Sequence, residues 1–507
     1  MNKGLKIIKI KVDNKDRNLF NVKFINENDS FDNQIFSTVL IGTNGSGKSY
    51  LMTLIIEILR TIEDELEGQK STKSNRNRRE GTLKYEFYNL VYSLNNNIYD
   101  ITIHDKKITL KINGKDSVLE NIVLPNKVLA VSFMVNDKFV FQPEEATKNI
   151  YSYLGVRESS NLTFTSSIQK NICNMIITNL EKKTVLKSIN QVFEFLNYDS
   201  TIYIKFNLIS RTFFEVFYSQ KDSGSVKQTL KKQFEDKIDQ FRNRNSYRYN
   251  SSSNSFESIN LDQLVQFVID SKEKISQGNG LTYKLTLNND YGENSEIVNN
   301  MNLIETLIAL RILKHPSINL IKNGEFEFDN ASSGEKHFLF SLINLAAKLQ
   351  ENSLVLIDEP EISLHPNWQM QYIDYLKRIF SHIEGCHFIL ATHSHFILSD
   401  LKGASSSIVK INFDNKTKLR SSELINYDTY AWSAENILYN IFKIRTTRNY
   451  YFEAELRELL NLISSKSDDL DRMQQLTNKL ETYSFNDKDP INIVLKEATS
   501  YLSKESR

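Results

Sequence analysis

Asn352 to Pro366, NSLVLIDEPEISLHP, is the stretch from which the fold of this 507-residue chain is read. Leu354-Val355-Leu356-Ile357 has no polar position, the pattern of a strand buried on both faces inside a parallel α/β sheet. Asp358 and Glu359 follow at its C-terminal end, where such sheets place their ligands. An acid pair there suits a magnesium-bound nucleotide, with one carboxylate for the metal and one for the attacking water. An ordinary strand followed by a capped helix would account for the same letters, so the meaning of the pair depends on the rest of the chain.

Far upstream, Leu5–Val12, Phe20–Ile25 and Phe36–Ile41 read as strands. Gly42-Thr43-Asn44-Gly45-Ser46-Gly47-Lys48-Ser49 follows, and Tyr50–Arg60 is an apolar-periodic helix. In that order the glycines let backbone N–H groups turn inward around phosphates, and the helix start adds its dipole. Lys48 can reach the β- and γ-phosphates, and the Ser49 hydroxyl can ligate Mg²⁺. Downstream of the opening stretch, the buried run His387–Ala391 leads into Thr392-His393-Ser394. This sets His393 at the next strand end, within reach of a γ-phosphate. Ahead of it, Ser332-Ser333-Gly334-Glu335 opens a helix that runs to Leu349. Small residues at a helix start offer N–H donors to an anion, although a simple helix cap has the same composition. Lys127–Phe133 reads as a strand of the main sheet. The loop after it ends in Gln142, a candidate sensor of the nucleotide, with Asn136 and Asp137 competing for that role.

Between these segments the reading is coarser. Glu63–Arg79 is a charged stretch, and Leu83–Leu94, Ile98–His104 and Lys107–Asn113 alternate like an antiparallel meander. Helices dominate the next part, at Ser166–Leu196, Ser225–Arg242 and Leu261–Lys274, and Ile318–Phe328 reads as a hairpin or edge strand. The domain organisation that follows is 1–62 and 316–425 as the two halves of one head, 63–150 as a β-rich subdomain with the sensor loop, 151–315 as a mainly helical insertion, and 426–507 as a helical tail.

The net charge of +1 gives no global drive towards nucleic acid or a membrane surface. Local basic loops could contact DNA or RNA. They are Lys70 to Arg79 and the Arg- and Tyr-bearing Arg242–Ser255, both of which also read as plain solvated loops. Two cysteines, Cys173 and Cys386, exclude a disulfide framework and a zinc cluster and fit a reducing cytoplasm. No apolar run of about 18 residues offers a membrane span, and the N-terminus lacks the apolar core of a signal peptide. A cytoplasmic protein with no membrane contact is expected.

Taken in order, the phosphate loop, SSGE, DEPEISLHP and ATHS resemble the ABC-type ATPase core, in its RecF/SMC-like branch without transmembrane domains (the AAA_15/AAA_21 group). The resemblance covers about residues 1–60 and 320–400. It identifies Asp358-Glu359 with the Walker B pair, Ser332–Glu335 with the signature, Ser363–Pro366 with the D-loop and His393 with the switch histidine. Ala331 departs from the Leu usual before the signature.

The resemblance implies an α/β fold: an ABC-type P-loop ATPase head with an antiparallel β subdomain, a mixed, largely helical insertion and a helical C-terminal tail. ATP and Mg²⁺ are the implied cofactors. Two copies would sandwich ATP, giving a homodimer or a higher even-numbered oligomer. Asp358 would support the metal beside Ser49, Glu359 would polarise water, and His393 would orient the γ-phosphate. Ser332 and Gly334 would touch that phosphate from the partner.

The layout, with Trp432–Asn449, most resembles stand-alone ATPases of bacterial phage-defence operons. These are the Septu-type and retron-associated ATPases, which work beside a separate HNH nuclease. The expected function is thus a slow regulatory ATPase controlling such an effector. The alternatives are a RecF-like repair ATPase that clamps DNA, and a nucleotide-dependent scaffold with very slow turnover. A nuclease in the same chain is not expected. The acidic cluster Asp468-Asp469-Leu470-Asp471 opens a helix, where acids suit the dipole. The tail helices remain as a partner surface.

Overall fold

The computed structural model describes residues 4–14, 17–25, 34–70, 83–134, 137–141, 149–155, 165–219, 222–245, 260–288, 291–322, 324–362, 364–414, 416–417, 419–425, 428–444, 448–465, 467, 469–483, 485–486 and 489–505. These form two compact units, Met1–Tyr430 and Ala431–Arg507.

In the first unit the opening stretch forms the strand Leu354–Asp358, inside a seven-stranded sheet. The strand order is Arg420–Ile425, Ser406–Phe413, Phe36–Ile41, His387–Ala391, Leu354–Asp358, Val128–Ser132 and Tyr151–Tyr153. All neighbours are parallel except the edge strand Arg420–Ile425. Every residue of Phe36–Ile41, Val128–Ser132, Leu354–Asp358 and His387–Ala391 is buried. This is why those strands are mostly apolar along their length instead of alternating, with Ser37 and Thr38 as buried polar exceptions in the first of them. The register sets Asp358 opposite Ala391, and Ala391 opposite Leu40. Three strand ends therefore finish level, carrying the phosphate loop, Asp358-Glu359 and Thr392-His393.

A second sheet is wholly antiparallel, in the order Arg17–Lys23, Lys6–Asn14, Phe87–Leu94, Asn97–His104, Lys107–Ile112 and Lys115–Ser117. Its hairpins turn at Asn95-Asn96 and Asp105-Lys106, both pairs at positive φ, as two-residue turns of matching twist require. The first helix, Lys48–Lys70, shares one core with both sheets. Leu51, Met52, Leu54, Ile55, Ile56, Ile58, Leu59 and Ile62 are all fully buried in it. The charged stretch from Glu63 is therefore helical as far as Lys70. Glu63 itself is buried, and its carboxylate accepts the Ile150 N–H at 2.7 Å.

The insertion is mixed and largely helical, as expected, but it also contributes strands that the sequence reading did not place. Thr201–Asn207 and Gly280–Thr286 are strands, and with Ser317–Ile321 and Glu325–Glu327 they form a four-stranded antiparallel sheet. Ile202, Ile204 and Phe206 point into its core while their neighbours do not; the period-2 signal was present in TIYIKFN. The helical stretch expected over Ser166–Leu196 is made of two helices, Thr165–Thr178 and Lys183–Phe195. The Asn179 side-chain amide donates to the Met175 carbonyl oxygen at 2.8 Å where the first one ends.

Among the described residues the second unit holds four helices: Ala434–Asn440, Tyr450–Ser464, Leu470–Glu481 and Ile491–Glu505. The last three pack around Leu459, Met473, Leu476 and Leu480. Asp469 caps its helix, its side chain accepting the Arg472 N–H at 3.0 Å; Asp468 lies outside the described residues. No helix among the described residues is long and apolar enough to cross a membrane.

Candidate functional site

The loop between Phe36–Ile41 and the first helix closes on itself. The Ser46 N–H donates to the Thr43 carbonyl oxygen at 3.1 Å, and Lys48 Nζ reaches back to the Gly42 carbonyl oxygen at 3.1 Å. Gly45 and Gly47 sit at φ +78° and +101°, a backbone region that a side chain would strain. The Ser46 hydroxyl is buried and has no hydrogen-bond partner among the described residues, a polar group that a ligand could satisfy.

Against this loop stand the two neighbouring strand ends. Ser49 Oγ donates to Asp358 Oδ1 at 2.7 Å. Lys48 Nζ lies 2.7 Å from His393 Nε2, and that nitrogen is 3.3 Å from Glu359 Oε1. A lysine ammonium can donate to Nε2 only when that nitrogen carries no proton. Glu359 can then bond the same nitrogen only as a protonated acid. Nε2 then has one lone pair for two donors, so Lys48 and Glu359 compete for it and the Lys48 charge is left without a carboxylate partner at this nitrogen. Burial, then the adjacent Glu361 carboxyl, pushes Glu359 up to about 9. Burial also raises Asp358, to about 6, with the Asp137 charge adding to it. His393 is lowered by burial and by the Lys48 cation, while Lys48 is lowered by burial against the pull of Glu359, Asp358 and Glu361. Anionic phosphate would compete for Lys48, and a cation beside Asp358 would reverse the cost of its charge.

Glu361 belongs to this arrangement, although the sequence reading gave it no role. Its Oε1 accepts the His393 N–H at 2.6 Å, tying the turn after one strand to the turn after the next. Gln369 adds a second tie, donating to the Glu361 carbonyl oxygen at 3.4 Å and accepting the Ser394 hydroxyl at 2.6 Å. The repeated acid in DEPE was the available signal for Glu361.

The remaining expected residues are elsewhere or not described. Ser332 caps the helix Ser333–Lys348, and Glu335 closes a reciprocal capping box with it. The Glu335 carboxylate also receives Lys322 at 3.2 Å and the Tyr198 hydroxyl at 3.5 Å. Against burial, which raises it, the bonds from Ser332 and then Lys322 hold its pKa below the usual value. Among the described residues, the bonds of Ser332 and Glu335 reach none of the groups around the phosphate loop. Asp137 accepts the Tyr153 hydroxyl at 2.6 Å and the Phe139 N–H at 2.9 Å. Asn136, Gln142, Ser363, the basic stretch 71–82 and residues 246–259 lie outside the described residues, as does the Ser333 side chain.

Residues 5–398 match the AAA_15 family, the AAA ATPase domain. The chain belongs to that family. It is an ATPase, as the family and the motifs at the strand ends require. The retron Vc95 probable ATPase of Vibrio cholerae is 25% identical over 382 residues, covering 63% of this chain and 72% of that protein. The Septu protein PtuA of Bacillus thuringiensis is 25% identical over 171 residues, covering 30% of this chain and 42% of its own. The relatives thus carry the two names that the motif resemblance pointed to. The SMC head domain from Thermotoga maritima aligns over 83% of this chain and 100% of its own, with 10% identity and a TM-score of 0.33, a likeness too slight to carry an argument.

Proposed function

We propose that this ATPase closes around ATP as a dimer and, by hydrolysing it, controls a separate effector, a nuclease, in bacterial defence against phage. The observation that carries the ATP site is the convergence on one loop of Lys48, the Ser49–Asp358 bond at 2.7 Å and the His393–Glu359 pair. The defence role is supported by the retron and Septu names of the relatives.

The residues present fit a magnesium ion. Among the described residues no group of three or more His, Cys, Asp or Glu could enclose a metal. A hydroxyl and one buried carboxylate are nevertheless what Mg²⁺ takes beside phosphate and water. Ser49 and Asp358 would hold it, and when bound it supplies positive charge to the transferring phosphate. Lys48 leaves His393 for the β- and γ-phosphates. The inward N–H groups of Gly42–Ser49 cradle the phosphate chain. Freed from Lys48, His393 faces the γ-phosphate, and Glu359, once ionised, takes the proton of the attacking water. Ser332 is bonded within its own helix start, and none of its described bonds reaches this loop. That suits a role in the partner's site, completed on dimerisation.

The test compares wild type, Lys48→Ala and Glu359→Gln by ATP turnover and by light scattering with and without ATP. Wild type hydrolyses ATP, Lys48→Ala does not, and Glu359→Gln accumulates as an ATP-held dimer. A Glu359→Gln protein of the same mass with and without ATP sinks the dimer. Expression of the tagged chain with its neighbouring genes, followed by pull-down, tests the effector; recovery of the chain alone, or with DNA only, overturns it.

A further inference from the structure

An early strand and a late hairpin meet at the phosphate loop. Phe20 lies on Arg17–Lys23, Phe413 ends Ser406–Phe413, and Arg420 opens Arg420–Ile425. Phe413 and Arg420 are register partners across the edge hairpin. The Arg420 guanidinium lies 4.9 Å from the centre of the Phe20 ring and 5.0 Å from that of Phe413. It is thus held by two aromatic rings. Its Nε donates to the Ser46 carbonyl oxygen at 2.9 Å. The approach depends on Gly47, because a Cβ there would stand 2.9 Å from both Arg420 Nε and Phe20 Cζ. The hairpin is fastened alongside by Ser422, whose hydroxyl donates to the Asn21 carbonyl oxygen at 2.6 Å. Phe20 in turn packs on Tyr50, one residue after Ser49, with ring centres 6.2 Å apart.

An arginine on an edge strand is ordinarily a solvated charge. This one directs a donor at the backbone of the loop. In a trans peptide the carbonyl and the N–H point in opposite directions. Anchoring the Ser46 carbonyl on Arg420 therefore turns the Gly47 N–H the other way, away from the guanidinium. We propose that Arg420 is a positioning residue for nucleotide binding: it fixes the Ser46–Gly47 peptide so that the Gly47 N–H is presented to phosphate. The proposal rests on the reading of this loop as the ATP site. Arg420 lies beyond residues 5–398, so the family match assigns it nothing.

The experiment measures ADP affinity by calorimetry and steady-state ATP turnover for the full chain and for Arg420→Ala, Arg420→Met and Arg420→Lys. Methionine keeps apolar bulk between the two rings while removing the donor and the charge. Arg420→Ala and Arg420→Met should weaken ADP binding and raise KM by about tenfold. Their kcat should stay within about twofold of wild type, since a peptide fixed equally in ground and transition states acts on binding. Arg420→Lys should fall between them and wild type. A folded Arg420→Met that binds ADP as wild type does overturns the proposal alone, as does a fall in kcat at unchanged KM. Failure of the wild-type chain to bind ADP overturns the ATP-site reading and this proposal together.

Discussion

One strand, His387–Ala391, carries a histidine at its start and leads into a second just past its end, and the two are built to opposite purposes. His387 is fully buried, and each ring nitrogen has one partner. Nδ1 accepts the Ile7 N–H at 2.9 Å, so Nε2 carries the proton and donates to Thr38 Oγ1 at 2.8 Å. Thr38 passes the chain of bonds on to Ser407 at 2.8 Å. His393 is half-exposed, and its Nε2 lies close to both Lys48 and Glu359. A lysine stands near each ring, Lys6 at the first and Lys48 at the second, and each helps burial to hold the imidazole neutral. The same residue types therefore give a closed structural knot at one end of the sheet. At the other they give a contested contact that a phosphate can resolve.

The largest effect that would separate the two ends is expected from Lys48→Ala. Loss of a charge-assisted phosphate contact should lower kcat/KM by on the order of a hundredfold or more; turnover like wild type would move the site elsewhere. Glu359→Gln comes next. Its kcat should fall by roughly 10²–10⁴-fold while nucleotide still binds, and equal losses in binding and turnover would falsify the division of labour drawn above. Glu361→Ala releases the His393 backbone and should cost about tenfold in kcat, whereas Glu361→Gln keeps an acceptor and should recover most of it. Indistinguishable alanine and glutamine variants would reduce Glu361 to packing.

At the quiet end, His387→Ala should lower stability by about 3 kcal/mol, with turnover per folded molecule unchanged. Chemical denaturation beside an active-site titration would check both halves. The smallest change is Lys6→Met. Burial lowers the Lys6 pKa from its ordinary 10.5 to about 8, so between those values the unfolded chain binds more protons. Wild-type stability therefore rises with pH across that window. Lys6→Met should be more stable than wild type at pH 7 by on the order of 1–3 kcal/mol, an advantage that shrinks by pH 10.5. Melting curves across that range would show either the convergence or its absence.

What was legible in the sequence follows from where each group is attached. The phosphate loop, Asp358-Glu359 and His393 each follow a short, mostly apolar run, so motif and strand end arrive together in the text. Level registration of those three ends depends on a strand order that runs against chain order, and no local pattern encodes it. The strands Thr201–Asn207 and Gly280–Thr286 were hidden by helical neighbours, although TIYIKFN alternates openly. Arg420 was out of reach for another reason. Its meaning lies in Ser46, Phe20 and Phe413, none of which lies within a turn of it in sequence.

One further consequence follows from Glu359. Its backbone sits at φ +49°, a left-handed conformation that favours Gly and Asn and costs a longer side chain on the order of 1 kcal/mol. On the proposed role of Glu359, the backbone and the chemistry favour different residues at this position, and the need for hydrolysis is what would keep the acid. In lineages that retain the fold but abandon turnover, selection relaxes first here, and position 359 should drift to Asn or Gly before the neighbouring Asp358 changes.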